Sequence, residues 1–251
     1  MELPYLHKQA TKKVCHALDG IKTIVQLEQR IEDTQEYVGM YKVGLELFKR
    51  FGHEPLEIIK KHKKEIFLDL KDHDIPKTMY EAAFASAEQR IYMFTVHASS
   101  GLKSLEAAAK GARDGALHYN TKKPKVIGVT VLTSLNDEDL KNELNINKNV
   151  QDQVNSLSQL SIQAGLDGLV CSALDLESIR EYLPQDFMKV TPGIKSPGTK
   201  GPSDQKRVAT PKYALNQGSN LLIIGRAMSD HPTSELKKQA GYDILDDIVN
   251  G

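Results

Sequence analysis

An α/β fold, a (β/α)8 TIM barrel, is predicted by three observations. Eight short runs rich in Val, Ile and Leu recur along the chain, with charged, helix-patterned segments between them. The runs are too continuous to be half-exposed antiparallel strands, so the alternation argues for parallel strands joined by helical crossovers. The length of 251 residues suits one such barrel, and no composition shift or linker divides it, so a single domain over 1–251 is expected.

The expected strands are "VCHAL" 14–18, "MYKVGL" 40–45, "EIFLDL" 65–70, "YMFTVHA" 92–98, "KVIGVTVLT" 125–133, "GLVCS" 168–172, "MKVTPGI" 188–194 and "NLLIIG" 220–225. Helices are expected at 21–36, 45–62, 75–90, 102–117, 151–165, 175–183 and 211–217, with 232–248 after the last strand. Every strand is then followed by a helix. A doubly wound sheet would more often carry a Gly-rich phosphate turn after its first strand, and here that strand ends in "ALDGIKT" with no GxGxxG. Two stretches read as irregular, 134–150 and 192–209. The second, "PGIKSPGTKGPSDQKR", is rich in Pro, Gly and Lys and long for a βα loop, as lids often are.

The 33 Lys and Arg balance 33 Asp and Glu, so no global charge draws the chain toward nucleic acid or an anionic membrane, and a charged ligand must be caught locally. Cys15 and Cys171 lie far apart in apolar runs and read as small buried hydrophobes. The amino terminus lacks an apolar core long enough for a signal peptide, and no stretch approaches a membrane span, so a cytoplasmic protein is expected.

Barrels of this type place reactive groups at the carboxyl ends of their strands. Those positions hold Asp19, Lys42, Asp69 with Lys71 and Asp74, His97, Thr133, Ser172, Pro192 with Gly193, and Gly225 with Arg226. Stability alone gives no reason to gather polar groups at one end. Asp69 and Lys71 are two apart on an expected strand and share a face, while Leu68 and Leu70 point to the other. With the leucines toward the helices, the charged pair faces the barrel mouth, where Lys42 from the neighbouring strand can interleave with the carboxylates. Alternating cations and carboxylates in a partly dry site stabilise each other's ionised forms and hold a proton donor in place. A salt-bridge network without a reaction is the plainer reading of D-x-K, and the strand-end context argues against it. Asp69, Asp72, His73 and Asp74 are metal-ligand types, but two lysines in the cluster would compete with a cation, so no metal is expected.

In "IIGRAMSD" a Gly that allows close backbone approach is followed at once by Arg226, which suits a phosphate bound between the loops after strands seven and eight. A substrate clamped there by its phosphate would react near the lysine cluster.

These residues resemble the orotidine 5'-monophosphate decarboxylase family of the bacterial type. The match runs in order through "ALD", "KVGLELF", "FLDLKDHDIPKT", "VHAS", "VTVLTS", "GLDGLVCSA", "VTPGI" and "IIGRA". D-x-K-x-x-D alone is weak, but followed directly by I-P-x-T it is highly specific. The resemblance implies a homodimeric barrel that converts orotidine 5'-phosphate to UMP and carbon dioxide without metal or organic cofactor. It implies that Lys71, Asp69, Lys42 and Asp74 are catalytic and that Asp19 binds the ribose hydroxyls. Asp74, Ile75 and Thr78 would reach into the partner's site, and Thr133 and Ser134 would lie near the pyrimidine. Pro192 would contact the substrate, and Lys195, Gln205, Gly225 and Arg226 would hold its phosphate.

Three positions depart from the family's pattern. Lys195 stands where Arg usually follows "PGI", which would replace a forked phosphate contact with a single ammonium. Asp72 replaces a more usual apolar residue and Lys77 a more usual Asn, and both are expected to be solvated or at a subunit contact. His97 is expected to be a packed histidine supporting the site. Two rival functions are a metal-dependent sugar-phosphate decarboxylase or aldolase of the same superfamily, and a catalytically dead barrel that binds a nucleotide. "DIPKT" and "VTVLTS" count against the first, and the complete set of matching catalytic positions counts against the second.

Overall fold

The computed structural model describes residues 3–195 and 208–250, which form a closed parallel barrel. Its strands are β1 (Val14–Ala17), β2 (Met40–Gly44), β3 (Glu65–Asp72), β4 (Met93–His97), β5 (Lys125–Val129), β6 (Gly168–Val170), β7 (Met188–Thr191) and β8 (Leu221–Ile224). Each pairs with the next, and β8 closes on β1 with Val14 opposite Leu222. Helix α1 (Tyr5–Ala10) precedes the barrel, α2 (Ile24–Thr34) follows β1, and α3 (Leu45–Phe51) and α4 (Glu54–Lys61) follow β2. Beyond them come α5 (Pro76–Glu88), α6 (Leu102–Tyr119), α7 (Asp137–Asn142), α8 (Val150–Gln163) and α9 (Ala173–Ile179). The last three are α10 (Pro211–Asn216), α11 (Arg226–Ser229) and α12 (Ser234–Asn250).

The strands are apolar on both faces because both are buried. Cys15, Met40, Phe67, Met93, Ile127, Val190 and Ile223 fill the barrel interior. The opposite faces, including Tyr41, Val43, Ile66 and Phe94, pack against Leu27, Ile31, Leu56, Ile59 and Ile244 of the surrounding helices. Each such side chain contributes about 1.5–3 kcal/mol on burial, set against the entropy of ordering the chain. Both cysteines are buried, and burial pushes the Cys15 thiol far above its usual range.

Several boundaries differ from those expected. The segment 45–62 is two helices, because Gly52 takes a left-handed φ of 60° that ends α3, and α4 restarts with Pro55 in its first turn. The run 125–133 stops being a strand at Val129, since its neighbour β6 is short and pairs no further than Val170. Within the irregular stretch 134–150, α7 forms on a capping box in which Asn136 and Asp139 satisfy each other's backbone N–H. The unexpected α1 docks on α12 through His7, which stacks on Tyr242 and lies 3.3 Å from Asp246. Strand β3 runs two residues past the expected end, to Asp72, by way of an irregularity described below. Among the described residues no helix is long and apolar enough to cross a membrane.

Candidate active site

A cavity of about 680 Å³ opens at the carboxyl end of the barrel. Phe67, Val129, Val170 and Ile223 give it an apolar lining, while Asp19, Lys42, Asp69 and Lys71 place charge on one side and Lys195 and Arg226 add cations elsewhere on its wall. Successive strand ends supply the charged side: Asp19 just after β1, Lys42 on β2, and Asp69 and Lys71 on β3.

The four charges alternate as expected. Lys42 Nζ lies 3.1 Å from Asp19 Oδ1 and 3.4 Å from Asp69 Oδ2, and Lys71 Nζ donates to Asp69 Oδ1 at 2.9 Å. Asp69 and Lys42 are both buried, so neither ionised form would persist there without the other. Burial pushes the Asp69 carboxyl up, but Lys42, Lys71 and its hydrogen bonds outweigh that and hold it below the usual carboxylate range. Burial likewise pulls Lys42 down, and Asp69 and Asp19 more than reverse it, so the ammonium is held above its usual range. The result is a fixed carboxylate with an ammonium at each oxygen.

Simple strand alternation predicts that Asp69 and Lys71 share a face, and they do, but for another reason. Between Leu68 and Asp72 the register on β4 shifts: four steps on β3 answer two on β4, from Phe94 to Val96. Within this bulge Lys71 adopts a left-handed φ of 56°, a conformation that costs a non-Gly residue about 1 kcal/mol or more. Bulges re-aim side chains, and this one turns Lys71 back over Asp69.

One residue of this network was not anticipated. Thr95, buried in the middle of β4, donates its hydroxyl to Asp69 Oδ1 at 2.9 Å and accepts from the Lys71 backbone N–H at 3.0 Å. The sequence signal is slight, a single hydroxyl within the apolar "YMFTVHA". Gly44, in the expected strand 40–45, also presses on the cluster: a Cβ there would stand 2.9 Å from Lys42 Nζ.

Of the other expected site residues, Thr133, Pro192, Lys195, Gly225 and Arg226 all line the cavity. Lys195 is held at its edge by a backbone pairing in which Lys195 N–H donates to Ala209 and Ala209 N–H to Gly193. Gln205 lies outside the described residues. Ser134 is exposed and does not line the cavity, since the chain has already left the barrel at that point. Asp74, Ile75 and Thr78 are exposed and do not line it either; they lie where the chain leaves β3 and enters α5. Asp74 accepts at 2.6 Å from Ile75 N–H, and its carbonyl accepts from Ser104. Ser172 is absorbed in a capping box with Asp175 at the start of α9. His97 is half-buried against His73, with ring centroids 5.7 Å apart. Asp72, expected to be solvated or at a subunit contact, is half-buried in this chain, and burial raises its carboxyl to about 6.

The comparisons agree with this geometry. Residues 12–238 match the model of the orotidine 5'-phosphate decarboxylase / HUMPS family. The chain is 40% identical over 217 residues to an orotidine 5'-phosphate decarboxylase of Prochlorococcus marinus (strain AS9601), covering 86% of this chain and 88% of that one. It is 39% identical over 227 residues to the Moorella thermoacetica enzyme of the same name, covering 90% and 89%. The crystal structure of orotidine 5'-phosphate decarboxylase from Lactobacillus acidophilus superposes with a TM-score of 0.79 at 33% identity, over 96% of this chain and all of that one. With the barrel, the alternating charges at its mouth and a match across most of its length, this chain belongs to the orotidine 5'-phosphate decarboxylase / HUMPS family.

Proposed function

We propose that this protein decarboxylates orotidine 5'-phosphate to UMP and carbon dioxide in pyrimidine biosynthesis, as the single barrel domain of a cytoplasmic homodimer. The observation that carries the reading is the Lys71 ammonium held 2.9 Å from Asp69 Oδ1 at the wall of a cavity that also presents Lys195 and Arg226. In the reaction the bond from C6 to the carboxylate breaks, the electron pair stays on C6 and carbon dioxide leaves. Those electrons lie in the ring plane with no delocalising sink, so the transition state needs a cation already in place. Lys71 serves as that cation and then transfers a proton to C6, and the resulting amine regains its proton from solvent. Asp69 orients Lys71, Lys42 keeps Asp69 ionised, and Asp19 takes the ribose hydroxyls. Thr133 and Ser134 act at the pyrimidine end, Lys195, Gln205, Gly225 and Arg226 at the phosphate, and Pro192 also contacts the substrate. Both Asp69 oxygens already face ammonium groups, which compete with a metal for that carboxylate, and in this reading the lysines carry the chemistry without a metal or organic cofactor.

Asp74, Ile75 and Thr78 complete the site of the partner subunit in this reading. Its support is their exposure on the rim beyond β3, where Ile75 is an apolar side chain 65% exposed. Consumption of orotidine 5'-phosphate by the pure protein is followed by the fall in ultraviolet absorbance. A fall with the wild type that is lost in Lys71→Ala is expected. No fall with the wild type, or an undiminished rate in Lys71→Ala, overturns the assignment. Turnover of a ketose phosphate that chelation abolishes would point instead to the metal-dependent sugar-phosphate chemistry.

A further inference from the structure

The Asp69–Lys71 pair depends on a conformation that its own strand does not favour. Lys71 sits at a left-handed φ of 56° inside the β3 bulge, where it has no regular ladder partner on β4. Its backbone N–H is nevertheless satisfied, at 3.0 Å, by the hydroxyl of Thr95. That hydroxyl carries one hydrogen, and because it accepts from the amide, the hydrogen is directed to the other neighbour, Asp69 Oδ1 at 2.9 Å. Thr95 is 1% exposed, so water does not replace either contact. One oxygen atom thus fixes the backbone from which Lys71 projects and the carboxylate to which its ammonium is bonded.

We propose that Thr95 is a positioning residue of the decarboxylation, holding the β3 bulge and the Asp69 carboxylate together so that the Lys71 ammonium is presented in one place. This rests on the reading of Asp69 and Lys71 as the reacting pair. Thr95 touches no reacting atom and acts through both of them. Its two contacts differ in kind. The contact with Asp69 is a charge-assisted hydrogen bond that favours the ionised carboxylate, whereas the contact with Lys71 relieves a buried amide and maintains a strained φ.

Thr95→Val keeps the shape and removes both contacts, while Thr95→Ser keeps the hydroxyl. In Thr95→Val, kcat is expected to fall about 10- to 100-fold, the scale of one lost hydrogen bond to a charged group. KM changes by less than about threefold, because the phosphate contacts lie elsewhere. The acid limb of the kcat profile moves to higher pH, since a carboxylate deprived of a donor is easier to protonate. Thr95→Ser restores kcat to within about threefold of wild type and returns the limb to its place.

An active wild type with Thr95→Val unchanged in both kcat and acid limb overturns this inference and leaves the reading of Asp69 and Lys71 standing. A wild type inactive on orotidine 5'-phosphate overturns that reading and this inference with it. Thermal melting accompanies each variant. If Thr95→Val does not fold, Thr95→Ala is measured in the same way. Failure of both to fold, or equal losses in Thr95→Ser and Thr95→Val, shows a packing role and overturns the proposal.

Discussion

The Lys71 ammonium lies 2.9 Å from Asp69 Oδ1 even though regular strand register breaks down between the two residues. Asp69 is also one of the two anions that Lys42 faces, so one carboxylate serves two cations. Asp69→Asn is therefore expected to lower kcat by at least about 10³-fold. It should also change how stability depends on pH. The lowered Asp69 contributes stability that is full above the ordinary carboxylate value and lost as pH falls through its own lower one. The raised Lys42 contributes stability that is full below the ordinary lysine value and lost as pH rises through its own higher one. In Asp69→Asn the loss below about pH 4 flattens, and the loss above about pH 10 shrinks because burial then pulls Lys42 down with Asp19 as its main opponent, which urea unfolding across that range would record.

Gly44 ends β2 against the same cluster. A Cβ at this position would stand 2.9 Å from Lys42 Nζ and 3.4 Å from Asp19 Oδ1. The obstructing atom is the tip of a flexible side chain, so Gly44→Ala should change stability by no more than about 1 kcal/mol. It should nevertheless displace the ammonium and lower kcat/KM by about tenfold or more. Thermal melting and steady-state kinetics on the same sample separate the two effects. A normal rate would mean that the position of Lys42 is not critical.

Asp72 is half-buried, and burial alone raises its carboxyl to about 6. The unfolded chain releases this proton near pH 4, so a destabilisation sets in between about pH 4 and 6 and is complete above that. Asp72→Asn removes it. Discounted for partial exposure, the gain should be about 1–2 kcal/mol at pH 7.5 and close to zero at pH 4. Chemical denaturation at the two values tests this. A loss at pH 7.5 would show that Asp72 meets a cation in the assembled protein.

The proposed sharing of sites between two subunits predicts complementation. Lys71→Ala and Asp74→Ala homodimers should each be severely impaired, yet mixed dimers would contain one site with both native residues. Random mixing after reversible dissociation should restore about a quarter of wild-type activity per total protein. No recovery, with exchange of subunits confirmed by mass, would mean that each chain builds its own site.

The sequence revealed more of the barrel than of its irregularities. Apolar runs found all eight strands because both faces of a parallel strand are buried, a demand that depends on composition and not on distant partners. The break at Gly52 and the caps at Asn136 and Ser172 follow from local chemistry and were available in principle, but competed with longer periodic patterns around them. The site divided in the same way. Lys42 and Asp69 came from neighbouring strands, whose parallel register sets Asp69 opposite Gly44, two residues beyond Lys42. Thr95 looked like one more residue of an apolar run, since its value depends on which atoms of β3 lie opposite it.

By itself, then, the sequence determined the barrel, the end at which polar groups gather and the residue types available there, because burial and strand order follow from local pattern. Only the tertiary structure decided that β3 bulges and that Lys71 turns back over Asp69 from a left-handed backbone. A bulge is a mismatch between two strands 20 or more residues apart in the chain, as with Lys71 and Thr95, so its cause lies in no single segment.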